Sequence, residues 1–135
     1  MIDKKMTPSM DEWLKEAKKH ESADNIGMYL THNGIVRRSA KAKVRFGEEH
    51  TKEVCGMLFS YDQEKVDKAI EETMQMQGIY YVKAWLNEGT LTVGDDIMYV
   101  LIGGDIRPNV VDALQFLVGK LKNECVEETE IYEAD

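Results

Sequence analysis

Residues 97–102, Ile-Met-Tyr-Val-Leu-Ile, are six consecutive apolar side chains followed at once by Gly103 and Gly104. A short apolar run with no polar alternation predicts a strand covered on both faces, and therefore a strand at the centre of a sheet. Past Pro108, the residues Val110, Leu114, Leu117, Val118 and Leu121 recur at helical spacing, while Asp112, Gln115 and Lys122 fall off that stripe. This predicts an amphipathic helix over residues 109–122. Pro108 suits a first helical turn, where its missing N–H costs nothing, and the two glycines let the backbone leave the sheet sharply.

The same junction collects unpaired helix-end N–H groups and the positive end of the helix dipole, with Arg107 beside them, so it is a candidate anion site. A solvated arginine near an ordinary helix end is the plainer alternative, since Gly-Gly-Asp matches no phosphate-loop or dinucleotide pattern.

Upstream, Ser9 with Glu12 three residues on reads as a capping box for a helix over residues 10–20, with Trp13, Leu14 and Ala17 as its apolar stripe. Residues 26–37 alternate as a strand. Asn33-Gly34 would suit a hairpin, but Ile35-Val36 is too short for a return strand, which favours one long strand with a bulge or close approach at Gly34. Residues 39–52 read as a polar loop with a short edge strand near residues 44–46. Residues 54–59 are a second strand. Asp62 caps a helix carrying Val66, Ala69, Ile70 and Met74 and ending at Gly78. Residues 79–86 form a third strand, and residues 89–94 a turn with an extended piece at Leu91. The acidic segment from Glu127 onward shows no helical stripe and fits an edge strand or a mobile tail. The order of elements predicts an α+β fold of one domain, residues 1–135, with three helices and a mixed, mostly antiparallel sheet.

A chain of 135 residues can bury about two-thirds of its unfolded surface and needs no disulfide or metal staple. Cys55 and Cys125 stand without a Cys-x-x-Cys or His-rich neighbourhood, as in a cytoplasmic protein with reduced thiols. No run approaches the roughly 18 residues of a membrane span. A net charge of −8 argues against non-specific nucleic-acid binding. Six of the 25 acidic residues lie in residues 124–135, and the 19 that remain face 17 basic ones, so the body is close to neutral. Arg37, Arg38, Lys41, Lys43 and Arg45 make the densest basic stretch, which either meets an anionic ligand or is a solvated loop. His20, His32 and His50 are too scattered in sequence to suggest a metal site, and His32 alone on a strand reads as an ordinary packed histidine. Neither Ser39 nor Ser60 has a His and Asp in a recognisable frame, which makes hydrolase chemistry a poor fit. The eight methionines read as gap-filling core or interface residues.

Four stretches, taken together, resemble the catalytic large subunit of molybdopterin synthase. Gly89-Thr90-Leu91-Thr92-Val93-Gly94-Asp95 is similar to that family's G-x-L-x-x-G-D run, and Gly34-Ile35-Val36-Arg37 to its G-x-V-R. Arg107 stands where the family has an arginine opening the last helix, and Lys122 where it has a lysine near that helix's end. The likeness covers about residues 11–131 in order and spacing. It departs at Leu86-Asn87-Glu88, where the family usually has His-Arg, at Ile106 in place of a histidine, and at Thr129, where the family has a second catalytic lysine.

The resemblance implies an α/β-hammerhead fold, a homodimer, and a small ubiquitin-like sulfur carrier whose Gly-Gly tail enters a pocket. The implied reaction is a sulfur transferase step in molybdenum cofactor biosynthesis, from the carrier's thiocarboxylate to a cyclic pyranopterin monophosphate, with no cofactor or metal. Both reactants are anions, so the chemistry requires positioned cations. Lys122 is the expected catalytic residue, and Arg37, Arg38 and Arg107 the expected substrate-binding residues. The alternative is a non-catalytic paralogue that keeps the scaffold as a binding module for a ubiquitin-like partner or an anionic ligand. Everything depends on Arg37, Arg107 and Lys122 meeting in one recess.

Overall fold

The computed structural model describes residues 3–38 and 53–132. In chain order its elements are helix α1 (Met10–Lys18), strands β1 (Met28–Ile35) and β2 (Val54–Tyr61), helix α2 (Gln63–Met74), strands β3 (Ile79–Leu86), β4 (Gly89–Thr92) and β5 (Asp96–Gly104), helix α3 (Arg107–Lys120) and strand β6 (Val126–Tyr132). A 3-10 turn, Glu21–Asn25, leads into β1, and a π-helical turn, Leu121–Cys125, joins α3 to β6. The expected edge strand near residues 44–46 lies outside the described residues, as do Lys41, Lys43 and Arg45 of the basic stretch.

The central strand is where the apolar run predicts it. β5 lies between β1 and β3, antiparallel to both, and Val100, Leu101 and Ile102 are fully buried. Each such side chain contributes about 1.5–3 kcal/mol relative to exposure. Its faces have different covers. Leu101 packs with Trp13 and Ala17 of α1, bordered by Tyr29, Tyr81, Trp85 and Tyr99. Val100 and Ile102 join the larger cluster with Val66 and Ala69 of α2 and Val110, Ala113 and Leu117 of α3.

β2 instead pairs with β4 and β6, again antiparallel, so the α+β class and the three α-helices stand while the strands divide into two three-stranded sheets. Among the described residues every strand pairing is antiparallel. Alternation fixes which face of a strand is buried, not which strand lies beside it. The acidic segment takes the strand alternative as β6.

Local signals hold closely. Ser9 Oγ accepts from the Glu12 N–H at 3.3 Å, and Asp62 Oδ1 accepts from Glu64 and Lys65 at 3.0 and 3.3 Å. On α2 the buried position after Ala69 is Thr73, whose hydroxyl donates to the Ala69 carbonyl at 2.7 Å, while Met74 is 37% exposed. Gly78, at φ +77°, turns the chain into β3. Gly104 is required by contact: a Cβ there would meet the Gly78 carbonyl oxygen at 2.6 Å and Val110 at 2.7 Å. β1 is one strand whose register slips between Gly34 and Ile35, the bulge its sequence predicts. Cys125 is buried, but Cys55 is exposed, and both are free thiols.

Candidate functional site

Beyond the β1 bulge, the Val36 N–H donates to the Asp95 carbonyl at 3.0 Å and its own carbonyl accepts from Gly94 at 2.9 Å. Val36 is thereby buried and pinned to the β4–β5 turn, and Arg37 leaves the sheet from a fixed point. At the other end of the chain, the π-helical turn buries Leu121 and Cys125 and leaves Lys122 half-buried between them. Single π turns inside helices are frequent at functional sites.

These two cations border one recess of about 610 Å³, with His32, Gly34, Met98 and the β6 residues Glu128, Thr129, Glu130 and Tyr132 on its walls. Neither Arg38 nor Arg107 is among its lining residues. Arg38 lies 4.0 Å from Glu53, both exposed. Arg107 opens α3 while Lys122 follows its end, so at 1.5 Å per residue the two stand roughly 20 Å apart along the axis. β5 separates the same two ends by a similar length. The expected gathering of three cations therefore occurs for Arg37 and Lys122, and fails within one chain for Arg107.

The helix end beside Arg107 is already occupied by protein. Asp105 Oδ1 accepts from the Ile106 N–H at 2.6 Å and from the Asn109 amide at 2.9 Å, and those bonds hold its carboxyl below the ordinary range. A fixed carboxylate there repels a second anion at the helix N-terminus itself.

Strand pairing sorts the β6 wall. Glu128 and Glu130 stand opposite Phe59 and Met57, both buried, whereas Thr129 stands opposite the exposed Leu58. Opposite residues of an antiparallel pair share a face, so the two glutamates belong to the inner face and Thr129 to the outer. Thr129 borders the recess from an edge strand.

His32 is the site residue that a single-residue reading passes over. It lies two positions before Gly34 and so on the same face of β1, which was the available signal. Its Nε2 is buried without a hydrogen-bond partner. Burial first, and then the positive charge of Lys122, hold its pKa below the ordinary 6.5. Lys120, by contrast, turns toward α2 and the π-helical turn, 3.0 Å from Glu124 and 3.8 Å from Glu72.

A family model described as MoaE protein matches residues 6–124. The chain belongs to the MoaE family. This is the family of molybdopterin synthase large subunits in molybdenum cofactor biosynthesis. Among solved structures, molybdopterin synthase from Staphylococcus aureus superposes with a TM-score of 0.72 at 16% identity, over 95% of this chain and 88% of that one. Molybdopterin cofactor biosynthesis protein E from Burkholderia multivorans gives 0.67 at 16% identity, over 93% and 82%. The complex of subunits 1 and 2 of molybdopterin-converting factor from Helicobacter pylori gives 0.65 at 16% identity, over 95% and 82%. No curated protein matches significantly. The MoaE fold thus survives in this chain at low identity, and among the described residues no helix is long and apolar enough to cross a membrane.

Proposed function

We propose that this MoaE protein acts as a molybdopterin synthase large subunit, holding the thiocarboxylate tail of a small ubiquitin-like carrier against an anionic pterin monophosphate in the recess between Arg37 and Lys122. The observation that carries this reading is the convergence of those two cations, remote in sequence, on one recess. Arg37 offers a planar fork for a phosphate or carboxylate, and Lys122 a point charge with mobile donors. Each turn of the reaction breaks the carrier's C–S bond and forms one on a pterin carbon, which gives up the oxygen substituent it carried; water hydrolyses the carrier's acyl group so that it leaves as a carboxylate, and two turns supply both dithiolene sulfurs. Lys122 is the residue placed to balance charge on the departing carrier and to hand on a proton.

Arg107 serves the same guest only from a second copy of the chain, because its own recess lies roughly 20 Å away. The homodimer belongs to this proposal. Its experiment is turnover with thiocarboxylated carrier and pterin precursor: dithiolene product that is lost in Arg37→Ala and Lys122→Ala supports it, and no product under conditions where a conventional large subunit turns over sinks it.

Glu128 and Glu130 on the inner face favour a second reading, a binding module that keeps the carrier site without catalysis. Carboxylates on that face work against an anionic guest, by about 1 kcal/mol for a close pair of like charges. Carrier binding without product distinguishes this module from the enzyme.

A further inference from the structure

We propose that His32 is a direct contact for the anionic guest of the recess, its Nε2–H donating to a guest oxygen, and that the imidazole takes up one proton when the guest binds. The proposal rests on the reading of the recess as an anion site. Among the described residues, Nε2 of His32 is the buried side-chain nitrogen or oxygen with no hydrogen-bond partner, and His32 borders the same recess as Arg37 and Lys122. A buried polar atom without a partner is costly, and a guest oxygen removes that cost. Gly34 leaves the space beside it open: a Cβ there would stand 3.7 Å from Nε2, in ordinary contact.

The atom is shut off from water while the recess is empty. Contact requires a turn of the ring about χ2, a broad torsion, and a shift of the unbranched side chains of Met57, Met98 or Lys122 that border the same space. The electrostatics favour that step. Burial, and after it the charge of Lys122, disfavours imidazolium and holds the ring toward its neutral form. An oxyanion between His32 and Lys122 supplies the missing opposite charge, and the proton comes from solvent. A charge-assisted N–H···O bond then replaces an unpartnered nitrogen.

Among the described residues, the charged and titratable groups around the ring come from few elements. Arg37 follows β1, Lys122 comes from the π-helical turn, and Glu128, Glu130 and Tyr132 come from β6. On β5 the bordering residues Ile97 and Met98 are apolar, and Asp96 is taken up by Asn33 and Thr7. On α3, Asp112 is exposed and Lys120 pairs with Glu72 and Glu124. Of these residue types, histidine is the one whose ordinary charge change falls between about pH 5 and pH 8.

The test is calorimetric binding of inorganic sulfate, which stays a dianion across the neutral range, in buffers of differing ionisation heat. The wild-type dissociation constant is expected to weaken about tenfold between about pH 6 and about pH 8, with uptake approaching one proton per sulfate. Both effects should vanish in His32→Gln and in His32→Phe, the second keeping the ring's bulk. In the wild type, the His32 ring resonances should titrate at higher pH with sulfate than without. Sulfate binding that depends on Arg37 and Lys122 but is flat in pH overturns the role of His32 and leaves the recess standing. Absence of binding, or binding unaffected by Arg37→Ala and Lys122→Ala, overturns the anion recess and this proposal with it.

Discussion

Thr129 faces Leu58 across the β2–β6 ladder, and Leu58 is 49% exposed. Position 129, seven residues past Lys122, is therefore on the outer face of β6, while its neighbours Glu128 and Glu130 share the inner face with Phe59 and Met57. Thr129→Lys is expected to change sulfate affinity less than twofold, whereas Glu130→Gln should strengthen it about fivefold, for a charge repulsion of about 1 kcal/mol removed. Titration of the two variants side by side checks this. Equal gains would mean that the strand is rotated relative to the pairing described.

Arg107 and Lys122 at opposite ends of α3 make a prediction about assembly. Neither Arg107→Ala nor Lys122→Ala protein should turn over alone if each site draws Arg107 from a second copy. A refolded mixture of the two should recover activity, because one of the two recesses in a mixed pair then carries both intact residues. Failure of the mixture, with both variants folded, removes the shared site.

Gly104→Ala is expected to destabilise the protein by about 1–3 kcal/mol, because the added methyl would have to displace the Gly78 carbonyl and Val110. A drop in Tm on the order of 5–10 °C follows. Gly94→Ala offers a contrasting control: it meets nothing within 4 Å, so its penalty comes from the backbone at φ +93° alone.

Asp95 accepts from the Thr92 N–H at 2.8 Å and pairs with Lys4 at 3.1 Å, and these contacts, the Thr92 bond foremost, hold its carboxyl below the ordinary 3.8. A depressed folded pKa stabilises fully above 3.8, and that contribution is lost as pH falls through the lower folded value. Urea unfolding of wild type and Asp95→Asn should therefore differ most at neutral pH and converge at strongly acidic pH. A gap that widens on acidification would contradict the assignment.

Much of the fold was legible because its signals are local. The Ser9 and Asp62 caps, the stripe of α3, the bulge at Gly34 and the buried run of β5 are each set by neighbours within a few residues. The partner of a strand is not set that way. Nothing in Val54–Tyr61 states that it joins β4 and β6 rather than β5, since pairing is chosen by packing across the whole chain. Thr73 took the buried place expected of Met74 for a related reason: its hydroxyl is satisfied within the helix, so burial carries no penalty.

For the site, the sequence by itself determined the cast and the end points: an arginine leaving β1 just after its bulge, a lysine just past the last helix, and an acidic segment beyond it. Tertiary structure decided who meets whom. The lengths of α3 and β5 hold Arg107 away from Lys122, the antiparallel register turns Glu128 and Glu130 inward and Thr129 outward, and the recess bordered by β1, β6 and the π-helical turn takes in His32. Those outcomes depend on distances between segments remote in the chain, which no pattern of neighbouring residues encodes.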